Sequence, residues 1–109
     1  MFPDGVGRFE STGNLIRSPE EGRALADALG SADAVLMRNH GAAFCGPFLE
    51  YATIAGVQLE RAAEVELTLH AAGDPGRPTA REEALEKRAA IYTESAVRSM
   101  FAWCARHVR

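Results

Sequence analysis

Residues 34–46 read AVLMRNHGAAFCG, two short apolar runs divided by Arg38, Asn39, His40 and Gly41. No other stretch narrows the fold as far. The run Ala34-Val35-Leu36-Met37 is too short for a helix and lacks the alternation of a half-wet strand. It predicts a strand over Asp33–Arg38 that is covered on both faces. A second strand is predicted over Ala42–Cys45, closed by Gly46-Pro47. Asparagine and glycine tolerate positive φ, so Asn39-His40-Gly41 is read as a tight reversal or bulge between them. A side chain mounted there is held by two strands, a rigid place for a ligand atom. The residues alone leave His40 open as a solvated turn histidine, one bonded to nearby backbone, or a metal ligand. A single imidazole does not define a metal site.

Helical periodicity brackets this pair. Ser18-Pro19-Glu20-Glu21 offers a capping serine, proline at the first helical position and glutamate three residues on. The helix it opens has Ala24, Leu25, Ala28 and Leu29 on one apolar face and Gly30 as its stop. A long helix is predicted from Phe48 to Ala72. Leu49, Ala52, Ala55, Leu59, Ala63 and Leu67 recur at helical spacing, and Ile54, Val57 and Val65 widen the stripe. That width predicts a largely buried helix, in which Gly56 would let a neighbouring element approach closely. After the Gly73–Pro78 loop, Thr79-Ala80-Arg81-Glu82 reads as a second capping box, opening a helix that runs, unbroken or with a break, to the C-terminus with Ile91, Val97, Met100, Phe101 and Trp103 as its apolar residues. Short strands are expected at Val6–Phe9 and near Asn14–Arg17. Three or four strands make a sheet with open edges that call for a partner or a cover.

Length and charge exclude several roles. The 109 residues make one domain, 1–109. The net charge of −3, with no Lys/Arg cluster or aromatic-interleaved basic stripe, argues against nucleic acid. No window approaches the roughly 18 apolar residues of a membrane span. Two cysteines, Cys45 and Cys104, are too few for a disulfide scaffold, and the start MFPDGVGRFES has neither a basic nor an apolar leader segment. Reduced thiols and a cytoplasmic location are the expectation.

Leu36-Met37-Arg38-Asn39-His40-Gly41, followed by Gly46 and by Leu59-Glu60-Arg61-Ala62-Ala63-Glu64, resembles the class II aldolase/adducin family. The Glu21–Ala26 helix and the Ala34-Val35 strand fit the same pattern. The resemblance runs from about Gly13 to Ala72 and more loosely to Trp103. It implies an α/β fold, part of an α/β/α sandwich with a short, mostly antiparallel sheet and flanking helices. It also implies a divalent metal, usually zinc, held by three histidines, and tetramers with sites at subunit interfaces. The metal stabilises an enediolate-type negative charge during aldol cleavage, epimerisation or decarboxylation of a small sugar phosphate or keto acid. By motif position His40 matches one zinc ligand.

The departures are equally specific. The family's other two ligands come from a His-X-His pair, and no such pair occurs here. The acid/base glutamate and the phosphate-gripping loops of the family are also missing. The chain is therefore expected to be the C-terminal half of the domain, truncated, incomplete without an N-terminal half and inactive alone. His70 is poorly placed to substitute, about 30 residues and at most about 45 Å of helical rise beyond the turn, and His107 sits at the chain's end. Tyr92 is a candidate for the C-terminal tyrosine that some members supply from a neighbouring subunit for proton transfer, against a packing role. Trp103 is read as a core or interface anchor. Arg38 could face an anionic substrate, against an ordinary surface arginine. Glu60, Arg61 and Glu64 are read as a solvated helix edge. A non-catalytic adducin-like interaction module and a degenerate remnant are the competing readings.

Overall fold

The computed structural model describes residues 1–108. Strand β1 (Gly7–Phe9) leads through helix α1 (Pro19–Leu29) to β2 (Ala34–Met37), which turns into β3 (Gly41–Phe44). Helices α2 (Leu49–Ala71), α3 (Arg81–Ile91) and α4 (Glu94–His107) follow. The sheet order is β1-β2-β3. β1 and β2 are parallel, with Gly7 beside Val35 and Phe9 beside Met37. β2 and β3 are antiparallel, with Ala34 beside Phe44 and Met37 beside Gly41. The sheet is thus mixed rather than mostly antiparallel, because α1 serves as the crossover that a parallel neighbour requires.

Local chemistry sets the ends of α1. The Ser18 hydroxyl accepts from Glu21 N at 3.1 Å, while Glu21 Oε2 accepts from Ser18 N at 3.0 Å, closing the capping box. Gly30, at φ 55°, ends the helix and donates its N–H to Ala26 O. The strand expected near Asn14–Arg17 does not form. Its Arg17 N–H donates instead to Glu21 Oε2 at 2.8 Å, and Asn14 N donates to Thr12 Oγ1, so the backbone donors are spent on the cap and a local turn.

Side-chain alternation puts the helices on opposite faces of the sheet. Gly7, level with Val35, lies against the Ala28 and Leu29 backbone of α1. Phe44, one position out of phase with that row, lies against Gly56 of α2, the close approach expected of that glycine. Phe9 and Val35 are buried on the α1 face of the sheet and Ala34 on the α2 face, but Leu36 is 40% exposed. The expected double cover of β2 therefore holds only at its first two residues. A second core joins α2 to α4: Tyr51, Ile54 and Val97 are buried, with Phe48, Tyr92, Met100 and Cys104 packed around them.

The long helix is not largely buried. Only Tyr51, Ile54 and Ala55 are enclosed, and every residue from Glu60 to Thr68 is exposed. The reason is length. At about 1.5 Å per residue α2 extends roughly 35 Å, whereas the four residues of β3 span about 14 Å. The helix outruns the sheet.

The terminal helical region departs from expectation at its start and at Trp103. Ala80, not Thr79, occupies the N-cap of α3 and makes no side-chain cap, so the second capping box is absent. A break at Tyr92-Thr93 separates α3 from α4, and Thr93 Oγ1 caps α4 by accepting from Ala96 N. Trp103 is 54% exposed rather than a core anchor: it borders an open groove between α2 and α4, while its neighbour Cys104 packs into the core. Both cysteines are free, Cys104 half-buried in the α2–α4 core and Cys45 exposed. No helix among the described residues is long and apolar enough to cross a membrane.

Candidate functional site at the β2–β3 hairpin

Three residues, Arg38, Asn39 and His40, cross from β2 to β3. His40 N donates to Met37 O at 3.1 Å, closing the turn. Asn39 sits at φ 54° and Gly41 at φ 151°, the left-handed region that these two residue types enter at least cost. The tip is braced from the far side as well. Arg38 N donates to Phe9 O at 3.0 Å, extending the β1–β2 ladder into the turn. Gly13 packs beside it, where an added Cβ would touch Arg38 O at 3.4 Å and Asn39 Cβ at 3.7 Å.

His40 therefore stands on a supported bend, and its ring is exposed. Among the described residues the imidazole makes no hydrogen bond or ion pair. Next to it, starting at Gly41, a groove of about 350 Å³ runs between the sheet and α2, floored by Leu36, Ala42 and Phe44 and walled by Leu59 and Ala63. Glu60 is the one ionisable residue along it. Arg38 is exposed beside the ring, and Glu60, Arg61 and Glu64 form the expected solvated edge of α2.

The other candidates lie elsewhere. His70, near the end of α2, faces Glu66 on its own helix with Nε2 to Oε1 at 3.3 Å. His107 stacks on Trp103 with ring centroids 4.3 Å apart, and its Nδ1 lies 2.7 Å from Trp103 O. Tyr92 follows α3 directly and packs, half-buried, on the Tyr51–Ile54–Val97 core. Burial pushes its hydroxyl pKa up, keeping it neutral. The core that Tyr92 joins lies at the level of Tyr51, whereas the hairpin lies at the level of Leu59 to Ala63. About 12 Å of helical rise separates the two levels, so Tyr92 and His40 do not meet within one chain.

Among the described residues no group of three or more His, Cys, Asp and Glu side chains could hold a metal ion. Zinc sites use at least three protein ligands, so the residues of this chain do not by themselves fit zinc. What the hairpin offers is one exposed imidazole on a braced turn, one residue before Gly41 at the edge of an open apolar groove.

A polar cluster that sequence patterns give no hint of lies at the opposite end of the sheet. Tyr51 Oη donates to Asp33 Oδ2 at 3.2 Å, and Arg88 Nη2 lies 2.9 Å from the same oxygen. The Arg88 guanidinium also covers the Tyr51 ring, 5.6 Å from its centroid. Burial and then the Asp33 charge push the Tyr51 pKa up. Burial and the Arg88 charge push the Met1 amino group down. Residues 1, 33, 51 and 88 share no local motif; only packing gathers them.

No curated protein and no solved structure matches the chain. The family model described as class II aldolase and adducin N-terminal domain matches residues 4–67. That span takes in β1, α1, the whole hairpin with its exposed histidine and most of α2. With more than half of its 109 residues under that model, the chain belongs to the class II aldolase/adducin family.

Proposed function

We propose that this chain is the C-terminal half of a class II aldolase-type lyase, epimerase or decarboxylase acting on a small sugar phosphate or keto acid in the cytoplasm. In this reading His40 contributes one ligand to a divalent metal, zinc in most of the family, and polypeptide outside this sequence contributes the others. The observation that carries the reading is the hairpin. It belongs to a family domain, it is braced on two sides, and its imidazole is exposed rather than spent on packing, one residue from the groove that begins at Gly41. The missing ligands support a second reading, an adducin-like interaction module in which the fold persists without chemistry. Both readings require a partner, either the complementary half or further copies of the chain. Open strand edges and the uncovered half of α2 support that requirement.

Elemental analysis separates the readings. The isolated chain, equilibrated with micromolar zinc and desalted, should carry far less than one zinc per molecule; stoichiometric zinc would overturn the shared-ligand assignment. Combined with a family half that carries His-X-His, the chain should form an assembly that retains zinc and turns over substrate. His40→Ala should abolish both without dissociating the assembly. An assembly that forms but holds no zinc, with or without His40, would favour the interaction module. Retention of zinc unchanged by His40→Ala would remove His40 from the ligand set.

A further inference from the structure

We propose that the chain pairs with a second copy of itself, the last two turns of α2 in each copy lying on the uncovered sheet face of the other. α2 packs on β3, whereas β1 and β2 pack on α1. The side of β1 and β2 opposite α1 is left open. Strand register places Arg8 and Leu36 side by side on it, since Gly7 and Val35 take the α1 face. Arg8 is exposed and Leu36 is 40% exposed. Next to them runs the groove of about 350 Å³ floored by Leu36, Ala42 and Phe44, with Phe44 37% exposed. Packed helices lie about 8–10 Å apart, which is about two strand spacings. A helix laid beside α2 would therefore cover β2 and β1.

The chain itself supplies such a helix. Leu59, Ala63 and Leu67 stand four residues apart, in one row along α2. The row begins as the wall of the groove at Leu59 and Ala63 and continues past the sheet to Leu67, which is 71% exposed. Leu67 thus points to the layer of a sheet that has already ended beneath it. A two-fold axis beside the hairpin tip supplies the missing sheet from the second copy. It carries Leu67 of each copy into the groove of the other.

Charge favours a second copy as the occupant. After Arg61, α2 carries Glu64 and Glu66 and no lysine or arginine, and the helix C-terminus adds partial negative charge. The face it meets carries Arg8, and the hairpin tip beyond it Arg38, both exposed. A two-fold sets acidic against basic at both seatings. Each seating hides about 12 Å of helix and the face below it, roughly 1,000–1,200 Å² over the whole pair. That is the lower end of a specific interface, so the dimer is reversible rather than permanent. The pairing does not rest on the metal reading of His40.

Sedimentation equilibrium of the full chain tests the pairing. Between about 5 and 300 μM, at low salt, the chain should pass from monomer to dimer. Leu67→Asp lies on a turn exposed in the monomer, so it should leave the circular dichroism unchanged while weakening association at least about tenfold. Arg8→Glu should also weaken it, and Arg8→Glu combined with Glu64→Arg and Glu66→Arg should bring it back to within about threefold of the parent. Trp103→Ala, in the separate groove between α2 and α4, should leave association unchanged. A chain that stays monomeric throughout the range overturns the pairing. So does a dimer indifferent to Leu67→Asp, one lost on Trp103→Ala, or a charge-exchanged variant as weak as Arg8→Glu alone.

Discussion

Gly7→Ala tests whether helix α1 rests directly on strand β1. A Cβ at Gly7 would lie 2.2 Å from the Ala28 carbonyl oxygen, 3.1 Å from that carbonyl's carbon and 3.2 Å from Leu29 Cα. Non-bonded carbon settles at about 3.5 Å or more, so strand and helix would have to part by roughly 1 Å. All three neighbours are backbone, and no side chain can swing aside to absorb the contact. Overpacking of this kind costs about 1–3 kcal/mol, and a clash with rigid backbone belongs at the upper end, about 2–3 kcal/mol. A domain this small has little stability in reserve, so the folded-to-unfolded ratio should drop by about 30- to 150-fold.

Urea denaturation followed by circular dichroism at 222 nm reads that loss on the four helices. With a urea slope of about 1.3 kcal/mol per molar, the midpoint should fall by about 1.5–2.3 M. Gly22→Ala is the matched control on the same helix. Nothing lies within 4 Å of the Cβ it would add, and alanine is better than glycine inside a helix by about 0.5–1 kcal/mol. Its midpoint should rise. Equal midpoints for Gly7→Ala and the parent chain would mean that α1 does not meet β1 at this separation, and the account of the layered half of the fold would be wrong.

Two further outcomes follow from burial and capping. Ile54→Ala, at a site 1% exposed, should cost about 2–5 kcal/mol, whereas Leu67→Ala on the same helix, 71% exposed, should stay within about 0.5 kcal/mol; equal costs in a urea titration would show that the far half of α2 is covered. Ser18→Ala should destabilise by about 1 kcal/mol through loss of the cap. The Glu21 carboxylate of the same box accepts from Arg17 and Ser18 backbone N–H groups, which hold its pKa below the usual value. Its contribution is therefore full above the unfolded-state pKa and lost as pH falls through the folded one. Glu21→Gln should flatten the fall of melting temperature on acidification below the ordinary glutamate range, and an unchanged slope would count against the box.

What could be read from the residues is what short-range chemistry settles. Ser18, Glu21 and Gly30 mark both ends of α1 because caps are satisfied within four residues. Asn39 and Gly41 mark the hairpin because few residue types take its backbone angles. The Asn39-His40-Gly41 motif and its flanks were enough to name the family. Gly56 was legible too, as a gap that Phe44 fills. The errors share a different cause. The apolar stripe of α2 predicted burial along its whole length, but a stripe records only what a helix could bury. The Arg17 N–H suited a strand or a cap equally well, and Glu21 took it. The Tyr51–Asp33–Arg88 cluster had no local signature at all.

The sequence by itself determined the turn, the caps, the order of the central elements and the family, because each rests on interactions between residues a few positions apart. Only the tertiary structure decided that α2 outruns its sheet, that Trp103 is half exposed, that Tyr92 joins the α2–α4 core and that Arg88 of α3 pairs with Asp33. Burial and ion pairing depend on which distant segment lies opposite, and a one-dimensional pattern carries no record of that neighbour.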